Sequence, residues 1–201
     1  MRIRTILAVA VVGLATALAG CTGGQVFSSS YSTVRDAGYQ VPSVPISRVD
    51  RKYHRQVVKY ETREKPGTIV VDTGEKFLYF VMPEGKAMRY GIGVGRDGFT
   101  WSGTHRVTRK AEWPGWTPPD VMRARERAKG KILPAYMPGG LQNPLGARAL
   151  YIGSTIYRIH GSPEWNSIGR NVSSGCIRLI NQDIIDIYNR AEVGAKVVVK
   201  R

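Results

Sequence analysis

Cysteine is almost missing from this chain, with two in 201 residues beside three histidines. So few thiols build no disulfide scaffold, and two Cys with three His are poor material for a structural zinc site. Acidic residues are scarce as well, 15 Asp and Glu against 30 Lys and Arg, a formal net charge of +15. Hydrophobic residues at 42% and charged residues at 22% lie near the globular average, which argues against wholesale disorder and against a polytopic membrane protein. Glycine and proline, 23 and 11 in number, point to a turn-rich, β-leaning fold. The length fits one domain with a tail, or two very small domains.

Arg2 and Arg4 precede an uncharged, mostly apolar stretch from Ile6 to Gly20. That stretch is too short for a span of about twenty residues and fits the apolar region of an export signal. It ends Leu18-Ala19-Gly20-Cys21, which resembles the lipobox of bacterial lipoproteins and implies cleavage before a lipidated Cys21. Cleavage near Ala17 to Gly20 without lipidation is the alternative and leaves Cys21 free. Loss of the leader lowers the formal charge from +15 to +13. An exported basic protein meets envelope polyanions rather than a genome, so nucleic acid is set aside as a partner. If Cys21 is acylated, Cys176 has no partner in a compartment that oxidises thiols, and is either buried and inert or kept for its chemistry.

Residues 22 to 47 are rich in Gly, Ser, Val and Pro, the composition of a flexible tether. Arg48 to Lys65 carries seven basic and three acidic residues and reads as a partly extended lead-in or a contact strip for anionic polymer. The organisation is therefore a signal peptide over 1–20, a lipidated N-terminus with a flexible basic tether over 21–65, and a domain over 66–201. Within that domain Thr68–Asp72 and Phe77–Val81 form strands around the turn Thr73-Gly74-Glu75-Lys76. Ala87–Val94 and Thr104–Lys110 are further strand candidates, and Leu150–Ile152 and Tyr157–His160 flank a second hairpin turn. Asn181–Ala191 changes period, with Ile180, Ile184, Ile185, Tyr188 and Ala191 on one helical face and Asn181 or Asp183 near the start. Val197–Lys200 closes the chain as a strand. Between Trp101 and Gly140 lies an irregular Trp- and Pro-rich insertion with a short helical piece around Val121–Lys129, read as a lid or substrate wall rather than mere core filling.

Gly93-Val-Gly95-Arg-Asp-Gly98 matches G-x-G-x-x-G in form only, since no helical period follows it to receive a dinucleotide pyrophosphate. The chemistry concentrates in Tyr157-Arg-Ile-His-Gly161 and Ser173-Ser-Gly-Cys-Ile-Arg-Leu179. A free thiol is mostly protonated at neutral pH, and an adjacent imidazole can take its proton and later return it to a leaving amine. Small residues before the cysteine let a carbonyl approach the backbone amides, a possible oxyanion hole. Arg178 lies close enough in sequence to hold a substrate carboxylate or to add positive potential. His54 and His105 read as surface or strand residues.

The run His160…Ser173-Ser174-Gly175-Cys176-Ile177-Arg178 resembles the active-site signature of the L,D-transpeptidase catalytic domain (YkuD domain). The similarity extends through Gly67–Val71, Leu78-Tyr79, Tyr90–Gly95, Trp113-Pro114 and Asn143–Leu150, and covers about residues 66 to 200. It implies a mainly β, sandwich-type fold with one helix and a long lid-like insertion. It implies that Cys176 is the nucleophile and His160 the base, with the imidazole oriented by a backbone carbonyl. Gly161, Ser173, Ser174, Gly175 and Arg178 would serve the oxyanion or the substrate, with Tyr157 and Trp116 as candidate substrate walls. The implied reaction acylates the cysteine with the third residue of a peptidoglycan tetrapeptide stem and releases D-alanine. The acyl group then passes to an amine on a stem or on an envelope protein, without metal or organic cofactor, and carbapenem-type β-lactams would acylate the same thiol. An L,D-carboxypeptidase or amidase of the same fold, or a non-catalytic peptidoglycan-binding lipoprotein, are the alternatives. The family often has histidine where this chain has Ser174, so any role of that histidine does not carry over, and the gap from His160 to Ser173 is slightly shorter than usual.

Overall fold

A computed structural model of the chain describes residues 31–96, 101–153 and 155–201. The proposed signal peptide, Cys21 and the end of the G-x-G-x-x-G segment lie outside the described residues. The strands are β1 (Val34–Asp36), β2 (Tyr39–Val41), β3 (Gln56–Lys59), β4 (Ile69–Asp72), β5 (Phe77–Met82), β6 (Lys86–Gly91), β7 (Val94–Gly95) and β8 (Gly103–Glu112). They continue as β9 (Arg148–Ile152), β10 (Arg158–Ser162), β11 (Asn171–Ser173), β12 (Ile177–Ile180) and β13 (Lys196–Lys200), with helices α1 (Asp120–Arg127) and α2 (Asn181–Arg190). Nine strands form one sheet in the order β12-β10-β9-β8-β13-β4-β5-β6-β3. The architecture is the mainly β half-barrel or sandwich expected, with α2 as the expected helix and α1 as the short helical piece of the insertion.

Alternation builds the core. Ile69, Val71, Leu78, Tyr90, Val107, Leu150, Ile152, Ile159, Ile177, Leu179, Val197 and Val199 point inward and meet Ile184 and Ile187 of α2 in one cluster. The β4–β5 hairpin turns where Asp72 Oδ1 accepts from the Glu75 amide at 2.9 Å. Helix α2 has no side-chain cap: Ile180 occupies the cap position, and the two candidate caps are used elsewhere. Asn181 Oδ1 accepts from the Ala147 amide at 3.0 Å, and the buried Asp183 accepts from Tyr31 Oη at 3.2 Å.

The tether reading needs correction from residue 31 onward. Strand β3 pairs antiparallel with β6 at the sheet edge, and β1 pairs with β2 as a hairpin. Asp36 receives two hydrogen bonds of 2.6 Å from the buried guanidinium of Arg148, plus the Trp113 indole N–H at 2.8 Å. Trp113 adopts a left-handed backbone (φ 41°) and packs on Tyr39 with ring centroids 4.2 Å apart. Gln182 donates to the carbonyls of Ser32 and Pro42, and Arg55 turns inward to Asp183 and Asp186 at 3.7 and 3.4 Å. His54 is likewise buried rather than on the surface, with Nε2 2.9 Å from the Val49 carbonyl. A buried ion pair holds only with its full partner set. Residues 31–65 are thus packed parts of the domain, held by contacts far apart in sequence.

Candidate active site

Strands β10 and β12 run parallel, with Ile159 opposite Ile177 and His160 opposite Arg178. Side chains alternate, so Ile159 and Ile177 enter the core while His160 and Arg178 share the other face. Two residues before each of these, Arg158 lies in β10 and Cys176 just ahead of β12. The result is an array of His160, Arg178, Arg158 and Cys176 in which the register pairs the first two and the turn before β12 supplies Cys176.

These four residues border one cavity of about 420 Å³, together with Ser173, Ser174, Tyr157 and Glu164. The opposite wall comes from the insertion: Trp116, Pro119, Met122 and Glu126 at α1, then Lys131–Pro134 and Met137. The insertion therefore forms a wall over the thiol, as its composition suggested. A cavity of about 500 Å³ elsewhere, near Arg63–Thr68 and Lys196, holds no nucleophile.

Each candidate residue has a definable local cause. His160 is buried, and its Nδ1 lies 2.6 Å from the Gly161 carbonyl oxygen. A carbonyl only accepts, so Nδ1 carries the proton and Nε2 is the free acceptor. Burial, reinforced by the Arg178 charge, pushes the His160 pKa down to about 3, leaving a neutral imidazole at neutral pH. Gly161 is required there because a Cβ would strike Asn181 Oδ1 and Ile184 Cγ2 of α2. Cys176 is a free, half-buried thiol whose pKa is raised, chiefly by burial. Hydrogen bonding to Arg158 and the charges of Arg158 and Arg178 oppose that rise. The resting pair is therefore a thiol and an imidazole, not a thiolate and an imidazolium.

The turn before Cys176 is fixed from three sides. Gly175 takes φ of 107°, a region that suits glycine. Ser173 Oγ donates to the Cys176 carbonyl at 2.6 Å and accepts the Gly175 amide at 3.1 Å. The Trp101 indole N–H donates to the Gly175 carbonyl at 2.8 Å, and its ring stacks on Tyr157 at 4.8 Å and 4°. The Gly175 amide is thus already engaged, and neither it nor Gly161 borders the cavity; both act as supports. Ser174 Oγ accepts from Arg125 Nη2 of α1 at 3.4 Å, a direct link from the lid wall to the turn before Cys176. Arg178 donates from Nη1 to Glu164 Oε2 at 2.7 Å. The sequence reading missed Trp101, Arg125, Arg158 and Glu164. Arg158 was within its reach, since a residue two before His160 on a strand must share its face.

A family model described as YkuD, the L,D-transpeptidase catalytic domain, matches residues 66–199. The probable L,D-transpeptidase YbiS of Escherichia coli K12 is 42% identical over 135 residues, covering 64% of this chain and 43% of that protein. The match spans less than half the length of YbiS and of the E. coli K12 probable L,D-transpeptidase ErfK/SrfK. The solved catalytic domain of an E. faecium L,D-transpeptidase superposes with a TM-score of 0.52 at 19% identity, covering 69% of this chain and all of that one, which shows a shared fold. A Brucella melitensis structure described as a probable carnitine operon oxidoreductase is 41% identical, with a TM-score of 0.50, over 78% of this chain and 99% of that one. That description concerns the Brucella protein; here the described residues after the G-x-G-x-x-G segment enter strand β8, not a helix.

Proposed function

The chain belongs to the L,D-transpeptidase catalytic-domain family, and from that premise we propose that it is a peptidoglycan L,D-transpeptidase with Cys176 as nucleophile and His160 as base. The observation that carries this reading is the shared cavity: a free thiol just ahead of β12 and, on the neighbouring β10, an imidazole whose Nδ1 is tied to the Gly161 carbonyl, under a lid wall.

In the proposed cycle Nε2 of His160 takes the Cys176 Sγ proton as sulfur attacks the carbonyl carbon of the third stem residue. Because the resting thiol is neutral, proton loss accompanies attack. The negative oxygen of the tetrahedral intermediate is assigned to the Cys176 amide, since the Gly175 amide serves Ser173. Collapse breaks the C–N bond to D-alanine, whose nitrogen receives the proton from His160. An acceptor amine then attacks the thioester, His160 takes the amine's proton, and the thiol is restored. Arg178, Ser173 and Ser174 contact the stem, and Tyr157 and Trp116 form its walls. The acceptor is another stem, giving a 3→3 cross-link, or an envelope protein. No step calls for a metal or organic cofactor.

The proposed location is the cell envelope, with the chain anchored to a membrane through lipidated Cys21. No described helix is long and apolar enough to cross a membrane. Radiolabelled palmitate should enter the wild-type chain and not Cys21→Ser.

The function is tested by incubating the full chain with disaccharide-tetrapeptide and reading protein and product masses. We expect an acyl adduct on Cys176 and 3→3 dimers, both lost in Cys176→Ala and reduced at least about 100-fold in His160→Gln. An adduct giving only tripeptide would assign hydrolysis instead. A folded protein with no adduct would favour a stem-binding lipoprotein. The full chain matters, because a fragment starting at residue 48 would lose the packed Asp36–Arg148 pair.

A further inference from the structure

A separate cavity of about 340 Å³ takes part in no step of the proposed cycle. Its walls are residues 42–44 of the packed N-terminal segment, 141–142 in the chain leading to β9, 162, 163 and 165 at and beyond the end of β10, and 181–182 opening α2. The chain carries 30 basic and 15 acidic residues, yet no charged side chain among the described residues borders this cavity. The cavities at the thiol and at Arg63–Thr68 hold charged groups, and so does a neighbour that shares Trp165, with Arg48, Asp50 and Arg170.

The lining is instead an aromatic plane set among amides and hydroxyls. Trp165 is half-buried and packs against the cluster of Tyr31, Val49, Ile168 and Ile180. Gln142 and Ser43 are exposed, and no hydrogen bond among the described residues occupies either side chain. Ser162 Oγ accepts from the Glu164 amide at 3.1 Å and keeps its own proton to donate. Asn181 is 6% exposed; its Oδ1 is fixed on the Ala147 amide at 3.0 Å, and its Nδ2 meets no acceptor among the described residues. Gln182 holds the wall, giving Nε2 to the Ser32 and Pro42 carbonyls, and its Oε1 is sealed from solvent.

An ion in this cleft would lose water and gain no opposite charge, a net cost. A purely apolar ligand would leave the Asn181 amide unmet, a cost as well. The lining suits a neutral ligand with an apolar face for the indole and with hydroxyl and amide groups at its edge. An N-acetylhexosamine ring has that form. Position narrows the choice further. Ser162 stands two residues past His160 on β10, about 7 Å along the strand and on the same face. Glu164 borders the thiol cavity, while Pro163 and Trp165 on either side of it border this cleft. On the transpeptidase reading, the third stem residue at Cys176 hangs from a sugar through a lactyl group and two residues, about 10 Å when extended. We propose that the cleft at Trp165 binds N-acetylhexosamine units of the glycan strand. One ring stacks on the indole, and Gln142, Ser43, Ser162 and Asn181 meet its hydroxyl and acetamido groups. The inference rests on the transpeptidase reading for the identity of the ligand.

The probe is a tetramer of N-acetylglucosamine, free of peptide, titrated into the nitrogen-15-labelled full chain. The chain has four tryptophans, and the indole N–H signal of Trp165 is the one lost in Trp165→Phe. That signal and the Gln142 side-chain amide should shift saturably with a Kd of about 1 mM, the strength of one stacked ring and a few neutral hydrogen bonds. Gln142→Ala, a change at an exposed side chain, should weaken binding about 3–10-fold, and Trp165→Ala at least about tenfold. In Cys176 acylation each variant should raise KM for disaccharide-tetrapeptide by more than for the free tetrapeptide. No saturable shift up to about 10 mM tetramer would overturn the assignment. A Cys176 adduct from disaccharide-tetrapeptide in that same sample would leave the transpeptidase reading standing. Shifts confined to Trp116 would overturn the assignment too, placing the sugar in the thiol cavity. Saturable binding at Trp165 without any Cys176 adduct would uphold the cleft and remove the catalytic reading.

Discussion

Protons pull on this fold in two opposite directions at mildly acidic pH. Burial lowers the pKa of His160 from 6.5 to about 3, so the folded state refuses a proton that the unfolded chain accepts. Its stabilisation is complete above 6.5 and is lost as pH falls toward 3. Burial raises the pKa of Asp183 from 3.8 to about 7, against the opposing pull of Arg55. The folded state therefore holds a proton that the unfolded chain releases, and stability rises as pH falls from 7 toward 3.8. Linkage puts each effect between pH 7 and pH 5 at about 2 kcal/mol, with opposite signs. In the wild-type chain they nearly cancel. Asp183→Asn removes the gain, so on going from pH 7 to pH 5 it should lose about 2 kcal/mol more than wild type. His160→Gln removes the loss and should fare about 2 kcal/mol better over the same interval. Urea unfolding followed by tryptophan fluorescence at the two pH values reads this directly. With a slope of roughly 2 kcal/mol/M for a domain of this size, the midpoints should diverge from wild type by about 1 M in opposite directions. Comparing changes rather than absolute values removes the other titrating groups. If both variants kept the wild-type response, the claim that burial holds His160 neutral would fail.

Asp36→Asn should cost about 3 kcal/mol in urea unfolding, because Arg148 is left buried with Glu112 at 3.5 Å as its remaining carboxylate and the Ala147 carbonyl as a neutral partner; an unchanged midpoint would return residues 31–41 to tether status. Gly161→Ala should destabilise by about 1–3 kcal/mol through its collision with α2 and slow acylation by displacing the carbonyl that holds His160. Full activity in that variant would remove the orienting role. Trp101→Phe keeps the stack on Tyr157 and deletes the bond to the Gly175 carbonyl, so thermal unfolding should shift modestly, by about 1 kcal/mol, while kcat falls further than KM rises. Equal changes in both kinetic constants would make Trp101 a wall rather than a support.

Local pattern was enough for β4, β5, β9, β10, β13 and both helices, where alternation or helical period is strong and turns are marked. It was not enough for β3, β11 and β12, which are short and whose pairing depends on partners elsewhere in the chain. Residues 31–65 misled because a polar run up to residue 47 and a strongly basic one after it suit a tether, while what fixes them is remote: Asp36 on Arg148, Tyr31 on Asp183, Gln182 on the Pro42 carbonyl. The candidate site divides the same way. Cys176 and His160 were visible as chemistry. Glu164 and Trp101 became visible only when the strands brought their loops together.

The four-residue array has a consequence for how damage to this protein would show itself. Strands β10 and β12 use one register to seat Ile159 and Ile177 inside and to set His160 beside Arg178 outside. Sliding one strand by a single position would expel the isoleucines and scatter the array in the same move. No shifted register keeps the interior and blurs the chemistry. Injuries that act through this register should therefore thin the population of working molecules without dulling the survivors, unlike Gly161→Ala, which shifts a support of His160 while the register holds: titrated per reactive thiol, the remaining enzyme would turn over at its full rate.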